Sequence, residues 1–491
     1  MVPHRDKVAQ RFIMAIFVFT SVAALGQTYC GLADDGSTVL TPSNYSTFTA
    51  PSLGSSYTEE FGSANACTIS RVTDESQTGN TQSVTSHYYA TQNPFNSDDS
   101  LLMVLSAGGT PYIVRRTDGS VVVSSQNMPP ASAGINVWST SNPAEFFSGN
   151  GANLFKAVIG GTNCTDASNW SGAPNCTVTT TTLCTSSALT NLQFNENDIS
   201  YDGLHMWLAN AYQDSGAASV QLFTLNATDP SSCTAGATVT VSGGYHKLGI
   251  LPNNYLFMEP SSGTDTVYDT SGKVFTTLNT GGGHTDFGYD ISSGKVVGIG
   301  MWNQGTAANG CSSQYGIGVY DLQPGDPLGS VVRCLSEPCP NAWDCSNGGG
   351  YGGHISYRDT SAGWVVIETQ SAGTNCPSGT GRDCFNSVQP PDNWDYRAEE
   401  IVAFKEDGSQ TLRLAHYRSR TGGSGGAYWS QPRPVISRDG KYIAFDSNYD
   451  NSKVIGGNTG DGTVNVFVIP FQLGSDPPPP NPPTALSAIV Q

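Results

Sequence analysis

The sequence predicts an all-β chain folded as a seven-bladed β-propeller with long, disulfide-stapled loop insertions. Three observations predict it. Charged residues make up only 13%, while glycines and prolines number 56 and 28, which excludes long charge-faced helices as the main architecture. Hydrophobic and aromatic contents of 37% and 10% are enough to fill a core, so the chain is not disordered throughout. Finally, a unit of strand, Asp or Asn turn and strongly apolar strand recurs along the chain, and repetition at a fixed scale is how propellers announce themselves.

The elements follow in chain order. Residues 1–26 read as a signal peptide: Arg5, Lys7 and Arg11 precede an apolar run from Phe12 to Leu25, and Ala24-Leu25-Gly26 is a small-x-small cleavage pattern. The expected product is secreted, cell-surface or periplasmic, with no membrane span after cleavage. All of the 12 cysteines follow that point, and their spacings lack the C-x-x-C pairs of zinc sites, so disulfides are the expected use. Cys376 with Cys384 is a plausible local bridge. Residues 27–85 are expected to supply a strand that closes the ring against the last blade, removing exposed sheet edges.

The propeller is assigned to residues 86–473. Its repeat is clearest at 436–447, where Ser437-Arg438-Asp439-Gly440-Lys441 turns into Tyr442-Ile443-Ala444-Phe445. Equivalent turns fall at Asp99, Asn142, Asp202, Asn253, Asp290 and Asp359. A four-stranded blade needs roughly 40–50 residues, and the longer intervals are read as loop insertions. Two β-sandwiches would also alternate, but they do not explain a copied strand–Asp–strand unit. Residues 474–491 are a Pro-rich linker and tail.

The formal net charge of −18 repels nucleic acid and anionic lipid, so an extracellular glycan or a surface protein is the expected partner. In a propeller the inner strands begin around the central channel. Counting back about six residues from each turn gives Asn93, Asn136, Glu196, Lys247 beside His246, His284, Gly353 beside His354, and Arg433. Three of the chain's 7 histidines therefore fall at or next to one blade position. His246, His284 and His354 with Glu196 form a donor set suited to one divalent metal, Mn²⁺, Fe²⁺ or Zn²⁺. The alternative is that these histidines hydrogen-bond loop carbonyls and fix blade packing. Glycines precede both His284 and His354, and such glycines permit close backbone approach to a ligand. A second concentration, at 412–420 and 428–434, brings Arg418, Arg420, Trp429, Gln431 and Arg433 together as ligand-binding candidates.

The turn at 437–445 resembles the TolB-like, PD40-type propeller family, marked by Ser-x-Asp-Gly-Lys before an aromatic-rich strand. That resemblance covers about residues 85–470 and implies the fold alone. The stretch around Gln431, with His284, is similar to the oligogalacturonate lyase family of seven-bladed propellers. This resemblance implies a metal held by histidines and a glutamine, with a further histidine removing the C5 proton of a uronate. Gln431 matches the glutamine, and Pro432-Arg433-Pro434 stands where the histidines are expected.

Two functions follow. In the first, a secreted propeller binds a glycan or protein at one end of its channel without catalysis. In the second, a lyase-like site eliminates across a uronate, with His284 or His354 as base, Arg433 as electrophile and Tyr351 or Tyr357 as acid.

Overall fold

The computed structural model describes residues 28–42, 48–59, 61–78, 85–106, 109–129, 136–162, 164, 176–210, 216–229, 231–261, 264–278, 284–303, 315–322, 330–336, 353–358, 363–369, 394, 396–419, 430–449 and 464–473. The expected signal peptide, Tyr351, Asp359, the expected Cys376/Cys384 bridge, Arg420, Trp429 and the Pro-rich tail lie outside them.

Seven antiparallel sheets make seven blades. Blade 1 has strands Leu101–Leu105, Pro111–Arg115 and Val121–Val123. Blades 2 to 5 have four strands each, running outward from Asn136–Trp138, Leu192–Gln193, Tyr245–Ile250 and Asp286–Tyr289. Blade 6 runs outward from Ile355–Ser356 through Trp364–Glu368 and Glu400–Lys405 to Thr411–His416, and Leu32–Ala33 pairs with the last of these. Blade 7 is composite. Val435–Ile436, Tyr442–Ser447 and Asn465–Pro470 continue outward into Thr68–Arg71 and Ser56–Thr58. A copied turn unit in sequence has become a copied blade in space, and the sandwich alternative is set aside.

Burial explains the strand composition. Leu101–Leu105 and Trp364–Glu368 are buried at every residue, because a blade's second strand is covered on both faces by its neighbours. Such strands read as continuous apolar runs and lose the period of two. The outer strand Thr177–Thr185 is mostly exposed and threonine-rich, a β-branched but polar edge. Among the described residues there are seven apolar clusters, each filling one interface between neighbouring blades. The cluster of Leu102, Val104 and Tyr112 with Ala444, Val466 and Val468 joins blade 1 to blade 7 and completes the circle.

The turns are held by their own polar side chains. Asp290 Oδ1 accepts from the amides of Ser292 and Ser293, both at 2.8 Å, and Ser437 Oγ accepts from Lys441 and Tyr442, both at 3.1 Å. Gly294 and Gly440 close these turns at φ 69° and 76°, where a Cβ would be strained. Disulfides join Cys30 to Cys67, Cys164 to Cys176 and Cys184 to Cys233. The last ties the outer strands of blades 2 and 3. Among the described residues no helix is long and apolar enough to cross a membrane.

Candidate functional site at the propeller axis

The inner edge of blade 1 is interrupted. Ser86 bridges to Leu105 and Phe95 to Leu102, so the eight residues between Ser86 and Phe95 leave the blade while its partner strand advances by only three. That excess chain crosses the axis. His87 Nδ1 reaches Asp446 of blade 7 at 2.9 Å, and the Tyr89 ring meets His354 of blade 6 with centroids 5.1 Å apart. Thr91 Oγ1 donates to the Glu196 carbonyl at 2.7 Å, and Gln92 Nε2 to the Asn136 carbonyl at 3.0 Å. The central channel is therefore occupied by a loop of the chain itself.

Farther along the same inner strands the axis is filled by charge. Asp198 of blade 3 accepts two bonds from Arg438 of blade 7, at 2.9 and 2.8 Å, and one from the Asn93 amide of blade 1 at 3.1 Å. Arg358 of blade 6 lies 3.5 Å from Asp198 and 3.8 Å from Asp286 of blade 5, and donates to the Ile250 carbonyl at 2.7 Å. Low dielectric strengthens such pairs, and removing one partner would strand the other. This layer ties blades 1, 3, 4, 5, 6 and 7 together across the axis.

Above it stands a compact acid–base group. His354 Nδ1 donates to Glu368 Oε1 at 2.8 Å, which leaves Nε2 as the unprotonated nitrogen of the neutral ring. The His284 ring packs against His354 edge to face, centroids 4.5 Å apart. The Tyr89 hydroxyl lies 3.4 Å from His284 Nδ1. Burial first, then Arg433, Lys247 and His87, holds His354 well below the ordinary histidine range. His284 is lowered likewise by burial, then by His354, Lys247 and His246. Both rings are therefore neutral near pH 7. Burial pushes Glu196 up to about 7, against the pull of Lys247 and His246. Burial also lowers Lys247, whose Nζ donates to the Thr285 carbonyl at 2.7 Å.

The sequence-derived candidates separate into three groups. The structure brings His284, His354 and Glu196 to the axis. Lys247 faces inward there in place of His246, which is exposed in a bulge: Tyr245 pairs with Pro260 and Lys247 with Glu259, leaving His246 the extra residue. Tyr357 packs in the core between blades 5 and 6, and its hydroxyl donates to the Tyr289 carbonyl at 2.6 Å. Arg418 is buried beneath the N-terminal segment, 3.6 Å from Glu59 and 4.2 Å over the Phe48 ring. His416 sits in that same cluster, 3.6 Å from Glu59 and 3.7 Å from Glu400.

Arg433 is wholly buried, although it acts electrostatically on His354. It donates to Asp446 Oδ2 at 2.7 Å, to the Tyr88 carbonyl at 3.1 Å and to the Gln431 carbonyl at 3.3 Å. His87 Nε2 meets the Arg433 carbonyl at 2.6 Å, and the residue is held at φ 43°. Both faces of the arginine are thus fixed by the crossing loop and blade 7. Gln431 is partly buried at the start of this segment. Sequence reading missed His87, Tyr89, Glu368 and Asp446. The only local signal was that His87 is one of 7 histidines, since their meeting depends on chain segments far apart.

A metal is not accommodated by the expected donors. Among the described residues no group of three or more His, Cys, Asp or Glu side chains is arranged to hold a metal ion. The physical reasons are visible: His246 is displaced by its bulge, His354 Nδ1 is committed to Glu368, and the two axial rings contact each other edge to face.

The arrangement defines an all-β, seven-bladed propeller with an acid–base cluster at its axis. No family model and no curated protein sequence matches the chain. Solved structures similar to it include an oligogalacturonate lyase in complex with manganese, at 11% identity and a TM-score of 0.48, covering 85% of this chain and 96% of that one. An oligogalacturonate lyase from Vibrio parahaemolyticus is similar at 9% identity and a TM-score of 0.46, with the same coverages of 85% and 96%. Likeness of this order is shared by proteins of unrelated chemistry.

Proposed function

We propose that the axial cluster binds an acidic glycan and removes a proton from the carbon beside its carboxylate, opening the glycosidic bond by β-elimination. The observation that carries this reading is the Glu368–His354 pair, a neutral imidazole oriented by a buried carboxylate, in contact with His284 and Tyr89. His354 Nε2 takes the C5 proton. The C5–H electron pair forms the C4–C5 double bond, the C4–O bond breaks, and the departing oxygen receives the Tyr89 proton. The proton on His354 returns to the tyrosine after product leaves. Lys247 and Arg433 contribute positive field rather than contact, being buried and bonded to protein groups.

Binding without catalysis is the second reading, and one observation favours it: the expected electrophile, Arg433, is fully engaged by Asp446 and two carbonyls. One experiment separates the two. Polyuronates and neutral glycans are offered to the native protein and to His354→Gln, with unsaturated product followed by ultraviolet absorbance and binding by calorimetry. Product from the native protein, reduced at least a hundredfold in the variant while binding persists, supports elimination. Binding with no product from either supports the scaffold reading.

A further inference from the structure

The blade 3–blade 4 corner of the axial mouth carries polar atoms with nothing to bond to. Glu196 Oε2 and Glu259 Oε2 are both buried and have no hydrogen-bond partner. Glu259 helps to raise the Glu196 carboxyl, Glu259 is itself raised by burial and then by Asp265, and Lys247 and His246 act on both. Glu259 is the cross-strand partner of Lys247, so their side chains leave the same face of blade 4. Leaving an acceptor buried and unbonded costs about 1–3 kcal/mol, and each such atom calls for an explanation.

The backbone that presents these groups is specialised. Asn195 and Glu196 adopt φ of 48° and 60° in succession, a conformation unfavourable for residues with a Cβ. Thr91 of the crossing loop anchors the Glu196 carbonyl, and Asn195 Nδ2 donates to the Tyr245 hydroxyl of blade 4. The bulge at His246 breaks the register directly opposite Glu259 and Pro260. His246 is exposed and Glu196 and Glu259 are partly so, whereas the rest of the axial group is mostly buried. Solvent therefore reaches this corner.

We infer that Glu196 and Glu259 form a hydroxyl-recognising subsite, in which two sugar hydroxyls of a saccharide donate to the two unbonded carboxyl oxygens. The required ligand group is a donor, because the vacant oxygens accept once the carboxyls are ionised. A neutral hydroxyl suits the site better than a cation: Lys247 already places positive charge beside both carboxyls, and no group of three metal-ligating side chains exists among the described residues. The inference rests on the reading of the axial mouth as a glycan site, and it names the part of the sugar that is held.

The test uses the full chain and two panels of oligosaccharides, one neutral and one uronate-containing, with Ca²⁺ alone as a third probe. Binding is measured by calorimetry on the native protein, Glu196→Ala, Glu259→Ala and the milder Glu196→Gln and Glu259→Gln. The expected result is saccharide affinity reduced about tenfold or more in each alanine variant, with partial recovery in the glutamine variants. The glutamine variants also carry the test should an alanine variant fail to fold. Unchanged affinity in the folded variants overturns the subsite, even while product formation by the native protein upholds the elimination reading. Weakened binding without product from any protein upholds the subsite and removes the elimination reading. Binding of Ca²⁺ alone, lost in the same variants, overturns hydroxyl recognition in favour of a cation site, and absence of any saccharide binding by the native protein overturns both proposals.

Discussion

At the scale of single residues, the axial cluster holds groups whose protonation is displaced in opposite directions, and this sets how stability responds to pH. His284 and His354 are lowered, so in acid the unfolded chain takes up protons that the folded chain refuses. Their contribution is complete above the ordinary histidine value of about 6.5 and is lost as pH falls below it. Glu196 is raised, so its contribution is present below the ordinary carboxyl range and is lost as pH rises toward about 7. Glu196→Gln should therefore stabilise the protein by about 2 kcal/mol at pH 8 and change little at pH 4.5, measured by urea unfolding at the two values. An equal effect at both would show that Glu196 does not titrate in that window. Arg433→Ala is expected to destabilise by about 3–5 kcal/mol, because Asp446 would remain buried without its main partner. Asp446→Asn made together with it should recover part of that loss. The histidines at 284 and 354 were legible from glycine-flanked positions in the repeat. Glu368, Tyr89 and Asp446 were not, because nothing in a local stretch records which distant carboxylate or phenol the fold delivers.

At the scale of elements, the copied turns were readable because their chemistry is local: an Asp or Ser side chain bonds amides two to five residues away, and glycine supplies the left-handed closing position. In the sequence, the glycine beside His354 reads as a place for a ligand to approach. The neighbour is in fact blade 6 itself: a Cβ on Gly353 would lie 1.9 Å from the Glu368 carbonyl oxygen. The two segments that bear His354 and Glu368 are pressed together at that point. Gly353→Ala should force them apart, lowering the melting temperature and product formation together, whereas Gly272→Ala, at a turn remote from the axis, should affect the melting temperature alone. Loss of melting temperature with native catalysis in Gly353→Ala would show that the spacing of these strands does not matter to the site. Two element-level features escaped the periodic pattern. The repeat count already placed Lys247 at the axial position, but the bulge that turns His246 away from it left no sign in the pattern. The crossing loop between Ser86 and Phe95 leaves no pattern because it is an interruption of one.

At the scale of the whole molecule, stability is distributed over apolar interfaces between blades, and the N-terminal segment is woven into two of them. Leu32–Ala33 pairs with blade 6, Thr68–Arg71 with blade 7, and Cys30–Cys67 spans the interval with a sequence separation of 37. Replacing both cysteines by serine should reduce stability by about 2–4 kcal/mol. The check is thermal unfolding of native and variant proteins with and without reductant, and reductant should lower the native midpoint more than the variant's. An unchanged midpoint in the variant would mean that strand pairing alone secures the segment.

Blade 7 has a consequence for how damage spreads. Linear repeat arrays fray, since their first and last members each lack a neighbour. Here residues 56–71 and 435–470 occupy one sheet, and blade 1 packs on its far side, so no member is terminal. Breaking any one interface turns a hoop into an arc and creates two loose ends at once. The folding chain meets the same condition in reverse: strands nearly four hundred residues apart must find each other before the hoop exists, as Val468 with Ser70 shows. Until that late pairing forms, the protein is an array with ends, and its earliest-made strands wait on its last.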